Sequence, residues 1–206
     1  PDTRLWNTSR VTNMNAMFKE AAASNPDTSL WDVSRVTDMT SMFEGAANAD
    51  PDTSQWDTSS VRYMKNTFKD ASFANPDTRL WDIRELIDAS GLFHNAIAAS
   101  PDTSLWNTAS VNLMSNMFRG AVSADPDTSA WAVSNVVSTA FMFANATSAN
   151  PDVSNWDVSS VRDMTSMFDG AVSAFPETHH WTPSSLEVFT GYTCASSMCF
   201  TLATNG

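Results

Sequence analysis

The stretch Pro26-Asp27-Thr28-Ser29-Leu30-Trp31-Asp32-Val33-Ser34-Arg35-Val36-Thr37-Asp38-Met39-Thr40-Ser41-Met42-Phe43-Glu44-Gly45-Ala46 decides how the whole chain is read. Counted from Pro1, this 25-residue block recurs eight times without a gap, restarting at Pro26, Pro51, Pro76, Pro101, Pro126, Pro151 and Pro176. A strict period of this length marks a solenoid, in which each coil buries its apolar face only by stacking on its neighbours. The question is which positions of the unit point inward.

Each unit opens on a turn, because Pro fixes its own φ and pushes the residue before it out of the helical region. Next comes a short strand-like run carrying Trp6, Trp31, Trp56, Trp81, Trp106, Trp131, Trp156 or Trp181. Two places on sit Val33, Ile83, Val133 and Val158, or Thr8, Thr58 and Thr108. Shared parity puts Trp and this residue on one face of a strand. The Trp column is read as a buried core ladder, the alternative being an exposed aromatic row for carbohydrate. Ser9, Ser34, Ser59, Ser134, Ser159 and Ser184 then precede a run such as Val36, Met39, Met42 and Phe43, spaced by three and four. That pattern predicts an N-capped helix of about three turns with Met as core rather than as a metal ligand. Gly45, Asn95, Gly120, Asn145 and Gly170 share one column and suit its left-handed end. The fold class expected is α/β: a leucine-rich-repeat-like solenoid of eight coils, each with a short parallel strand and a short helix. Residues 1–175 form seven regular coils, and residues 176–206 a C-terminal capping coil and tail.

Strand parity leaves the third and fifth positions on the outer face. The third is Thr3, Thr28, Thr53, Thr78, Thr103, Thr128, Val153 and Thr178. The fifth is Leu5, Leu30, Gln55, Leu80, Leu105, Ala130, Asn155 and His180, the more varied column. With strands about 4.8 Å apart the strip runs roughly 35 Å and is the candidate binding face. The plainer reading is that Thr is a good strand former and the varied column unselected.

Asp2, Asp27, Asp52, Asp77, Asp102, Asp127, Asp152 and Glu177 place an acid in every unit. Carboxylates this close repel by about 1 kcal/mol in water. An Asx turn, with each carboxylate accepting from an amide just downstream, is the expected compensation. A row of calcium ions at Asp27, Asp52, Asp77, Asp102 and Asp127 is not favoured, because calcium needs six to eight oxygens and the seventh position exchanges Asn for Asp freely. No metal or other cofactor is expected.

The net charge of −12 disfavours a grip on nucleic acid or docking on anionic lipid. No run approaches the roughly 20 apolar residues that cross a bilayer. Cys194 and Cys199, the only cysteines, fall in the last coil and are expected to form one terminal disulfide, with two partly buried thiols as the alternative. His94, His179 and His180 have no nucleophile or acid at a telling spacing, and no phosphate loop or zinc motif occurs, so an enzyme is not expected.

The run Trp156-Asp157-Val158-Ser159-Ser160-Val161-Arg162-Asp163-Met164-Thr165-Ser166-Met167-Phe168-Asp169-Gly170-Ala171 resembles a bacterial surface-protein repeat of about 26 residues. That family is domain of unknown function 285, grouped with BspA-like leucine-rich repeats. Trp, Ser, Val, Met, Met-Phe and Gly-Ala recur in its order along the whole chain. The unit here is one residue shorter and carries Ala49-Asp50-Pro51-Asp52 where the family has Phe-Asn-Gln-Asp. The resemblance implies a solenoid on extracellular or cell-surface proteins, with adhesion often supposed, and no catalytic residues. The expected function is therefore a non-enzymatic extracellular repeat protein that presents its regular face to a cell-surface protein or glycan. The alternative is a subunit that stacks end to end on further copies of itself into a filament or stalk, since the first unit lacks a capping drift. A third reading has the Thr column bind an ordered lattice such as ice or a polysaccharide.

Overall fold

In the computed structural model, which describes residues 2–187, the repeat is confirmed in space and its internal structure is different from expectation. Among the described residues there is no helix and no extended strand. Neighbouring coils meet in single parallel bridges at the thirteenth position, running Asn13, Asp38, Tyr63, Asp88, Leu113, Ser138 and Asp163. The α/β assignment with a strand and a helix per coil is therefore wrong. The coil is a closed series of short straight pieces joined by turns.

The strand reading fails at the first corner. The amide of Trp31 donates to the carbonyl of Thr28 at 3.0 Å, and the same bond closes every described coil. This i→i+3 turn consumes one residue of the alternation. The third and sixth positions therefore both point inward, and the fifth and seventh outward. A second corner follows, with the Val36 amide on the Val33 carbonyl at 2.9 Å, and it turns the eighth and eleventh positions inward in the same way.

The helix reading fails for a related reason. A run of i→i+3 turns also brings every third residue to one side, as in Met42 on Met39 and Ala46 on Phe43. The intervening amides leave the coil: Met39, Ser41, Phe43 and Gly45 donate to the carbonyls of Tyr63, Lys65, Thr67 and Lys69 in the next one, at 2.8–2.9 Å. Two columns in this run carry positive φ, namely Ser41, Asn66, Gly91 and Asn116 in one, and Gly45, Asn95, Gly120 and Gly170 in the other. No helix survives two left-handed residues four apart. At Gly91 and Gly120 the missing side chain also leaves room for the Oδ1 of Asn66 and Asn95 in the coil before, which a Cβ would crowd.

The core runs the length of the stack. Successive Phe rings from Phe18 to Phe168 lie parallel, 5.4–5.8 Å apart. Beside them the Trp ladder is buried from Trp31 to Trp181. The Met columns fill the remaining space, and Ala46, Ala49 and their equivalents in the third to sixth coils are fully buried where the chain turns tightly. Where the fourth coil replaces Met by Ala89 and Leu92, both stay buried, so the packing is locally adjusted rather than broken.

Candidate recognition face

The third-position threonines are not on the surface. Thr28, Thr53, Thr78, Thr103 and Thr128 are at most 1% exposed. Each Oγ1 donates to the backbone carbonyl of the acidic residue one coil on: Thr28 to Asp52, Thr53 to Asp77, Thr78 to Asp102, Thr103 to Asp127 and Thr128 to Asp152, at 2.6–2.7 Å. Thr3 makes the same bond to Asp27, and Thr178 is also buried. The Thr column is thus a row of internal clasps. The expectation that it faces solvent is corrected, and with it the lattice-binding idea. Parity alone misplaced it, because the corner between Thr28 and Trp31 is invisible to an alternation count.

The fifth position remains outside. Leu5, Leu30, Leu80 and Leu105 stand at the corner tips and are 66–78% exposed. Gln55, Ala130, Asn155 and His180 complete the exposed column. Leu80 and Leu105 wall a cleft of about 320 Å³ that is also lined by Trp81, Ile83, Asp82 and Arg84.

An acidic column flanks this ridge on one side and a mixed column, with Asp32, Asp57, Asp82 and Asp157, on the other. On one side the Asp27 Oδ1 accepts from the Ser29 amide at 3.1 Å and the Ser29 hydroxyl at 2.6 Å. Asp102 and Ser104 repeat the arrangement at 3.0 and 2.7 Å. On the other side Asp32 holds the Ser34 amide and hydroxyl at 3.0 and 2.6 Å. These are Asx turns. The Ser hydroxyl first, and then the Ser amide, hold the carboxyls of Asp27, Asp32 and Asp102 below the ordinary range, so they stay charged. In the fourth coil Arg79 and Arg84 instead pair with Asp77 and Asp82 at 2.5 and 2.6 Å. Among the described residues no group of three or more His, Cys, Asp or Glu side chains is placed to hold a metal ion, and Asp27, Asp52, Asp77, Asp102 and Asp127 sit on separate turns of the stack.

A second polar centre lies on another side of the coil. Glu44 is buried between Lys19 of the coil before and Lys69 of the coil after, 3.0 Å from each ammonium. Burial pulls its pKa upward, but hydrogen bonds from Ser41, Lys19 and Lys69 outweigh it and hold the carboxyl at about 2. Further along the stack, between the fifth and sixth coils, Phe141 sits at φ 56° under the Arg119 guanidinium, 5.0 Å from the ring centre. His94 is half-buried and, by desolvation and then the Arg119 charge, held below the usual imidazole value.

The first coil differs from the rest. Trp6 is 39% exposed where the later Trp residues are 2–4% exposed, and Met17 is uncovered with it. The disulfide expected between Cys194 and Cys199 lies outside the described residues. Among the described residues no helix is long and apolar enough to cross a membrane.

A model described as "Mycoplasma protein of unknown function, DUF285" matches residues 1–104 and again residues 98–196. The chain belongs to that family. No curated protein matches it, and no solved structure does. Membership in DUF285 agrees with the tandem repeat, the two matches falling on successive groups of coils.

Proposed function

We propose that this chain is a non-enzymatic repeat protein of the cell surface or extracellular space, whose fifth-position ridge recognises a cell-surface protein or glycan. The observation that carries this reading is the division of labour between columns. Thr, Trp, Met, Phe and Ala positions are spent on coil stacking. The fifth position is exposed in every coil and varies from Leu to Gln, Ala, Asn and His. A rigid backbone with a solvent-facing, variable column is the form that repeat proteins give to binding surfaces. Exposed leucines in a row are a costly choice for a surface with no partner. Retention of the intact chain on a glycan array and on immobilised cell-surface protein tests the reading. The triple variant Leu30→Ser, Leu80→Ser, Leu105→Ser is expected to lose retention at least tenfold with stability unchanged within about 0.5 kcal/mol. Equal retention by the variant would remove the ridge from the function.

A second reading, end-to-end stacking into a filament or stalk, is favoured by the repeat itself, because each inner coil is covered on both sides by coils of the same pattern. A coil of a second copy has the right shape to continue such a stack. Light scattering then gives a mass that climbs with concentration, and Trp6→Asp holds it at one chain. A constant single-chain mass would sink this reading.

A further inference from the structure

The ridge carries more information than exposure, because its apolar and charged parts are ordered. Leu5, Leu30, Leu80 and Leu105 form two pairs separated by Gln55, all within the first five coils. With coils about 4.8 Å apart, the row spans about 19 Å, the length of roughly six extended residues. Among the described residues Asp27, Asp52 and Asp102 on one flank, and Asp32 and Asp57 on the other, make no ion pair. Their inner oxygens are occupied by Asx turns. Each carboxylate therefore has a fixed orientation and an outward charge. The fourth coil shows what these carboxylates accept when a cation is in reach, since Arg79 and Arg84 lie on Asp77 and Asp82 there.

We propose that the leucine ridge of the first five coils docks a cationic polypeptide segment, whose aliphatic side chains cover Leu5, Leu30, Leu80 and Leu105 while its Lys and Arg groups meet the flanking carboxylates. This rests on the recognition reading above and names its partner chemistry. Aliphatic anchors with cations on both sides belong to polypeptides; a neutral glycan lacks the charge, and an anionic membrane or nucleic acid carries the wrong one. One aliphatic side chain of the partner enters the cleft between Leu80 and Leu105, against Ile83 and Trp81.

Three fluorescein-labelled peptides of equal length test this against the intact chain by anisotropy: alternating Leu and Lys, alternating Leu and Glu, and alternating Ser and Lys. The Leu–Lys peptide is expected to bind at least tenfold tighter than either of the others, and severalfold more weakly when salt rises from about 50 to about 300 mM. The double variant Leu30→Ser, Leu80→Ser weakens it at least tenfold. Asp27→Asn with Asp102→Asn, which keeps the Asx acceptors, weakens it and flattens the salt dependence. Unchanged melting of both variants separates these losses from unfolding. Equal binding of the Leu–Glu peptide, indifference to the Leu substitutions, or no binding of any peptide would overturn the proposal. If the peptides fail while glycan or cell-surface retention still depends on the ridge, recognition stands and the cationic partner falls.

Discussion

Two threonines stand where most coils have methionine, and their hydroxyls meet different fates. Thr67 Oγ1 lies 3.0 Å from the Met39 carbonyl and 2.8 Å from the Met64 carbonyl. Thr139 Oγ1, equally buried, has no partner among the described residues. A buried hydroxyl without a partner costs about 1–3 kcal/mol, whereas one that is satisfied contributes about 1 kcal/mol. Thr139→Val is therefore expected to raise the denaturation midpoint by about 1 kcal/mol of stability, and Thr67→Val to lower it by a similar amount. Equilibrium urea unfolding of the two variants checks this, and a loss on Thr139→Val would show that its hydroxyl is satisfied after all. The sequence displays both substitutions plainly. It cannot tell which hydroxyl faces a carbonyl, because one of the acceptors of Thr67 lies a full coil away.

At the scale of the coil, corners and clasps replace the helix and strand that local pattern suggests. The Asx turn at the second position was legible, since an acid at a turn followed two places on by Ser has a ready acceptor and donor. The positive-φ column of Ser41, Asn66, Gly91 and Asn116 was legible in principle. Asn and Gly in the middle of a supposed helix are the signal, but the spacing of Val36, Met39 and Met42 is common to a helix and to a chain of i→i+3 turns. Coil-to-coil clasps set the electrostatics. Glu44 binds two coils to its own through Lys19 and Lys69. Its folded pKa, lowered from 4.5 to about 2, means that it stabilises the fold above the unfolded value and that this is lost as pH falls through the interval between them. The wild type is expected to lose melting temperature between pH 5 and pH 2 more steeply than Glu44→Gln, the two curves converging at the acid end. At neutral pH the variant should be less stable by about 2 kcal/mol. Parallel curves across that range would remove Glu44 from the acid response.

In the whole molecule each coil touches only its neighbours, so stability is a sum of repeated interfaces. Excising residues 101–125 joins Ser100 to Pro126 and keeps every column in phase. Such a chain is expected to stay folded, with amide-exchange protection retained in the flanking coils. Excising residues 101–120 instead puts Trp131 opposite Leu86 and Pro126 opposite Trp81, and is expected to abolish protection on one side of the cut. Equal protection in the two deletions would contradict a stack held by column register. The sequence by itself determined the period, the inward Trp, Met and Phe columns and the acid-bearing turn, because these recur and their chemistry is local. Only the tertiary structure decided that Thr points inward while its outward neighbour in the fifth position does not, and that neither helix nor strand forms. The deciding bonds, such as Thr28 to Asp52 and Ser41 to Lys65, join residues 24 positions apart. At that separation a corner that shifts parity by one residue leaves no trace in local periodicity.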